Sequence, residues 1–232
     1  MATKTGIDQD ALITMFSQAT AKQGEALRQT VSEATLHALQ GRELTLKNIR
    51  SVLKTVTEAA STGAAQHGGR PAEVEALLST AIDGMDAALL QAVEANRRAL
   101  QQFLDQGADL QKGGIKSALT DLEKLEDTFF SSVSKAAQGA GAPLQGPWAQ
   151  VLESMKLKGT DSGAQAALTV EQLLAQAQSA LRDSRAVGLR AGTALMDSYA
   201  ALVSGVLIGM SEGLQRGGKD AGEGRAAPSR KR

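Results

Sequence analysis

At 232 residues, with 25 basic and 25 acidic side chains, two histidines and no cysteine, the chain is long enough for one large domain or two small ones. It has no disulfide framework and no thiolate chemistry. Apolar residues make up 42% of it, but 40 are alanine and only six are aromatic (Phe16, Phe103, Phe129, Phe130, Trp148 and Tyr199), a balance that favours thin helix-on-helix contacts and, without strand-length β-branched runs, argues against sheet.

The four prolines stand at 71, 143, 147 and 228, so long stretches are free to be helical. A first helix is predicted near 8–40, on Leu12, Phe16, Ala19, Leu27, Val31, Ala34 and Ala38. Its mean apolar step of about 3.7 residues suggests a nearly straight helix. Gly41 stops it and Thr45 caps a second helix over 45–63. Leu46, Ile49, Leu53 and Val56 give that helix the clearest amphipathic face in the chain, and the short connection predicts an antiparallel hairpin. Pro71, at a first helical position, opens a third helix over 71–110, with kinks expected at Gly84 and Gly107. A fourth is expected over 115–138, on Ile115, Leu119, Leu122, Leu125, Phe129 and Val133.

Residues 139–147 (Gly-Ala-Gly-Ala-Pro-Leu-Gln-Gly-Pro) read as a linker between an N-terminal helical region, 1–138, and a C-terminal one, 148–216. A short helix from Pro147 to about Leu157 and a loop at 158–162 precede the last helix. Ser162 with Gln165, or Thr169 with Gln172, offers that helix a capping box. From Val170 to Gly209 the sequence repeats every seven residues. Val170, Ala177, Ser184, Ala191, Ser198 and Gly205 take one seam position; Leu174, Leu181, Gly188, Leu195, Leu202 and Gly209 take the other. A heptad stripe sustained that long belongs to one helix lying against another, as in a coiled coil, and the small positions let the partner's backbone come close. Ser198–Ser211 is free of charge, but its 14 residues fall short of the roughly 20 needed to span a bilayer. Residues 217–232 read as a disordered basic tail. The formal charge of zero is polarised: residues 215–232 carry a net +4 and the remainder −4.

Little here announces chemistry. His37 and His67 have no second histidine or cysteine at ligand spacing, so no metal site is expected. Asp121, Glu123, Glu126 and Asp127, with Lys124 among them, read as a solvated helix face. The glycine pairs lack the Lys-Ser/Thr of a phosphate loop, and no serine stands in a nucleophile elbow. No cofactor is expected. The basic tail has no interleaved aromatics and is joined to an acidic body, which argues against specific nucleic-acid recognition.

The stretches Leu27-Arg-Gln-Thr-Val31, Ala34-Thr-Leu-His-Ala-Leu39, Gly41-Arg-Glu-Leu-Thr-Leu-Lys-Asn-Ile49 and Val52-Leu53-Lys-Thr-Val56 resemble the start of an all-helical proteobacterial family with no assigned function. The resemblance implies a helical cytoplasmic protein and transfers no site. In composition the Ala- and Gln-rich, cysteine-free helices also resemble phasins, which coat polyhydroxyalkanoate granules. The expectation is an all-α, non-enzymatic protein acting through amphipathic faces, by surface coating or self-assembly. An intracellular scaffold or regulatory bundle is the alternative, and a small-molecule enzyme a third. The residues singled out as a packing or interaction seam are Leu46, Ile49, Leu53, Val56, Leu174, Leu181, Leu195, Leu202, Gly205 and Gly209. The partners so implied are a second copy, another helical protein, or an apolar granule or membrane surface.

Overall fold

A computed structural model describes residues 6–20, 23–40, 45–106 and 113–183, and every regular element among them is an α-helix: α1 (Gln9–Gln18), α2 (Gly24–Leu39), α3 (Leu46–His67), α4 (Pro71–Asp105), α5 (Gly113–Glu123), α6 (Leu125–Gln138), α7 (Ala142–Lys158) and α8 (Asp161–Asp183). Local chemistry sets several of the ends. The Asp8 side chain accepts from the Ala11 amide at 3.0 Å and Thr45 from that of Asn48 at 3.3 Å, each meeting a donor the helix itself leaves unpaired. Gly68 closes α3 in the left-handed conformation at φ 63°. Pro71 opens α4, where Glu73 reaches back to accept from the Arg70 amide at 3.1 Å.

The helix expected over 8–40 is two helices. Ala19 leaves the helical region at ψ 136°, and Gln23 Oε1 accepts from both the amide and the hydroxyl of Thr20 at 3.0 Å. The break lets α1 lie on α3 while α2 lies chiefly on α4, a division one straight rod could not make. Each crossing is made close by a glycine. A methyl group on Gly63 would run into Phe16 and stand 2.7 Å from the Ile13 carbonyl oxygen; one on Gly84 would stand 2.7 Å from the Arg28 carbonyl oxygen and 2.8 Å from Val31. Gly84 is therefore a point of contact, and α4 runs through it without a break; Gly107 lies outside the described residues.

Two further boundaries move. The expected 115–138 helix is interrupted at Lys124 (φ −97°, ψ 5°). Of the expected linker only Gly139–Gly141 connects elements, because residues 142–147 already form the first turns of α7. Pro143 sits in its opening turn, where a missing amide donor is harmless. Leu144 and Trp148 belong to the same continuous core as Ile7, Val31, Leu53, Leu100 and Phe129, so packing does not divide at 139–147. The few aromatics are well used. Phe16, Phe103, Phe129 and Trp148 are all buried, and the Trp148 indole donates to Ser61 Oγ at 3.0 Å, whose own hydroxyl donates to the Thr57 carbonyl at 2.7 Å. α4, about 52 Å long at 1.5 Å per residue, is apolar and long enough to cross a membrane by length and composition alone, yet 61% of its most apolar 18-residue stretch is buried inside the fold.

Candidate functional site

The start of α8 is where the described fold concentrates its long-range polar contacts. An α-helix leaves its first amides without internal partners, and they carry the positive end of the helix dipole. Here all four are met. The Thr160 amide donates to Glu126 Oε1 at 2.9 Å, the Asp161 amide to Asp86 Oδ2 at 2.8 Å, and the Ser162 amide to Asp86 Oδ1 at 3.0 Å. The Gly163 amide donates to Thr160 Oγ1 at 3.0 Å. Thr160, rather than Ser162 or Thr169, is thus the capping residue. The two carboxylates come from elsewhere in the fold: Asp86 from the middle of α4, Glu126 from the first turn of α6. Gly163 is squeezed between the partners of this clamp, since a methyl group there would stand 2.6 Å from Thr160 Oγ1 and 2.8 Å from the Glu126 carboxyl carbon.

Asp86 is 6% exposed, and each of its oxygens accepts from one backbone amide at the start of α8. Beside the clamp opens a cleft of about 540 Å³ lined by Glu75, Ser79, Asp83, Gln150, Ser154 and Lys158. Asp83 reaches solvent at its rim, yet its carboxyl is held above the ordinary range. Loss of hydration against the helices is the first cause and the Asp86 charge the second, opposed by Lys158 and Arg28.

Past the clamp, α8 docks on α4, α5 and α6. Ala166, Val170 and Leu173 are buried, while Leu174 and Ala177 are only partly covered. The buried stripe therefore runs through Leu173 rather than its neighbour Leu174; an adjacent pair of leucines in the sequence does not say which of them faces inward. Burying Val170 and Leu173 contributes about 1.5–3 kcal/mol each. Against that, Ser162 Oγ and Thr169 Oγ1 are buried with no hydrogen-bond partner, and such a hydroxyl costs about 1–3 kcal/mol. The two effects nearly offset, so charge-assisted bonds at the clamp, at about 1.5–3 kcal/mol each, decide where α8 sits.

The expected seam residues are spread over different settings. Leu46, Ile49, Leu53 and Val56 are in the interior, at 9% exposure or less, packed by the chain's own helices. Leu174 lies on α8 at the edge of the docked stripe, Leu181 falls further along the same helix, and Leu195, Leu202, Gly205 and Gly209 lie outside the described residues. His67 ends α3, where its Nδ1 is 3.2 Å from the Ser17 carbonyl oxygen, and His37 is exposed on α2. Among the described residues no three His, Asp or Glu side chains gather as a metal-holding group. Glu126, expected on a solvated face, is instead part of the clamp, and nothing in its sequence neighbourhood distinguishes it from Glu123 or Asp127.

A family model described as "Family of unknown function (DUF6781)" matches residues 2–216, and the chain belongs to that family. The match takes in both the clamp and the whole heptad seam. No curated protein and no solved structure matches the chain.

Proposed function

We propose that this is a non-enzymatic cytoplasmic interaction protein whose last helix offers an apolar seam to a second helix, most simply that of a second copy. One observation carries the reading. Of the seam positions on α8, Val170 is buried while the next two, Leu174 and Ala177, are only partly covered, and the sequence holds the same seven-residue stripe through Gly209.

The residue types favour a helix over a flat surface as partner. A coating helix gains by presenting bulky apolar side chains across a wide arc. Here alternate seam positions are Ala, Ser or Gly, which offer a surface little area but let two backbones approach closely. Leu46, Ile49, Leu53 and Val56 are already spent on the interior, so a phasin-like coat through that face requires the bundle to open. Charge adds to the case for self-association, because a net +4 C-terminal stretch and a net −4 remainder attract one another between copies.

Light scattering of the full chain over a range of concentrations tests this. A dimer or higher oligomer is expected, and Leu195→Asp with Leu202→Asp should return it to monomer with its helical circular dichroism retained. A chain that stays monomeric at every concentration, or an oligomer indifferent to both changes, overturns self-association. Co-sedimentation with apolar particles or anionic vesicles by such a monomer would establish the coating alternative instead.

A further inference from the structure

We infer that α8 is a separable arm, held to the body by the Asp86–Glu126 clamp and able to open as a unit while the rest of the bundle stays folded. Three observations converge on it. The arm's apolar contribution is small: three buried apolar side chains, Ala166, Val170 and Leu173, over residues 161–179, against eight in the 22-residue α3. Of the four buried side-chain oxygens without a partner among the described residues, two, Ser162 Oγ and Thr169 Oγ1, are on α8. Its N-terminus, by contrast, is bonded to two carboxylates from two separate helices. Regions with few buried apolar contacts open first in folded proteins, and here charge-assisted hydrogen bonds are what oppose opening.

The clamp also sets how the arm leaves. Gly159, at φ 75°, and Thr160 are all that joins α7 to α8, so this short junction is the natural hinge. Opening there uncovers Ala166, Val170 and Leu173 together with the partly covered Leu174 and Ala177, lengthening the seam toward its N-terminal end by about two turns. This consequence rests on the seam being an interaction surface; the opening itself does not.

Hydrogen exchange of the full chain, read by mass spectrometry, tests the arm. In the unmodified protein, amides 165–178 should show protection at least tenfold lower than amides 85–100 of α4. Asp86→Asn and Glu126→Gln each place an amide group where acceptors were needed, and each should lower α8 protection a further tenfold or more while α4 is unchanged. Equal protection of α8 and α4 in the unmodified chain overturns the inference without any variant having to fold. So does a loss of protection that is uniform across the bundle in Glu126→Gln. The oligomer mass is read separately: an independently opening arm in a chain that stays monomeric sustains the clamp and overturns the seam, and a dimer whose α8 is as protected as α4 does the reverse.

Discussion

Gly84→Ala is the sharpest test of how the bundle is assembled, because two opposing effects of known size meet at one atom. Alanine in place of glycine within a helix gains about 1 kcal/mol from backbone propensity alone. At Gly84 the added methyl would stand 2.7 Å from the Arg28 carbonyl oxygen and 2.8 Å from two carbons of Val31. Ordinary carbon contacts lie near 3.5–4.0 Å, so α2 must retreat by nearly 1 Å. The atoms in the way are backbone and a β-branched side chain, neither of which can swing aside. Overpacking of this kind costs about 1–3 kcal/mol, which matches or exceeds the propensity gain. A net loss of up to about 2 kcal/mol follows, or a fall in melting temperature of up to roughly 8 °C at this chain length. Gly24→Ala is the matched control on the same pair of helices: its methyl would lie 4.0 Å from Thr80 Oγ1, ordinary contact, and a gain of up to about 1 kcal/mol is expected. Thermal unfolding followed by circular dichroism at 222 nm reads both. Should Gly84→Ala melt above the parent, the close α2–α4 crossing is wrong.

Three other outcomes are expected. Asp83 has its carboxyl pKa raised in the fold, by lost hydration and then by Asp86, so the folded chain holds that proton more tightly than the unfolded one and stability from this group falls as pH rises through the weakly acidic range. Asp83→Asn should melt slightly higher than the parent at neutral pH, by about 1–2 °C given the exposure of the rim, with the difference vanishing below the ordinary carboxylate range; a variant that melts lower at neutral pH refutes it. Trp148, the sole tryptophan and 2% exposed, should emit at short wavelength and resist acrylamide. Trp148→Phe, which leaves Ser61 Oγ without its indole donor, should lower stability by about 1–3 kcal/mol in urea titration, and an unchanged midpoint counts against the buried bond.

Helical class, the cap at Thr45, the helix start at Pro71 and the amphipathic face Leu46-Ile49-Leu53-Val56 were legible, because each rests on neighbours within one or two turns; that this face packs inside the chain was not. The break at Ala19–Gln23 was not. It contains no proline, and Ala19 fits the apolar period of its neighbours; the break exists because α1 and α2 answer to different partners, α3 and α4. Gly84 read as a weak point for the same reason. Seen along one chain, a glycine in a helix is only a missing side chain, and the Arg28 carbonyl and Val31 that fill its place come from 53 or more residues away. The linker at 139–147 misled in the opposite sense. Pro143 is compatible with a helix that is just beginning, Pro147 is carried inside the helix, and Leu144 and Trp148 draw that beginning back into the core.

Asp86 is the plainest case of what sequence leaves out, and it bears on function. An aspartate on the buried side of an apolar helix, between Met85 and Ala88, breaks the pattern that places everything else on α4. Left unpaired it would be among the most costly groups in the fold. Its cost is met by two backbone amides 75 and 76 residues away, amides that no side-chain pattern advertises. A leucine at 86 would suit α4 as well and would make a simpler core, but it would leave the Asp161 and Ser162 amides at the start of α8 without acceptors. The carboxylate therefore serves α8 rather than α4. A polar fastening, unlike an apolar one, holds a helix at a defined place through a few directional bonds, and those bonds are what the proposed opening of α8 would have to break.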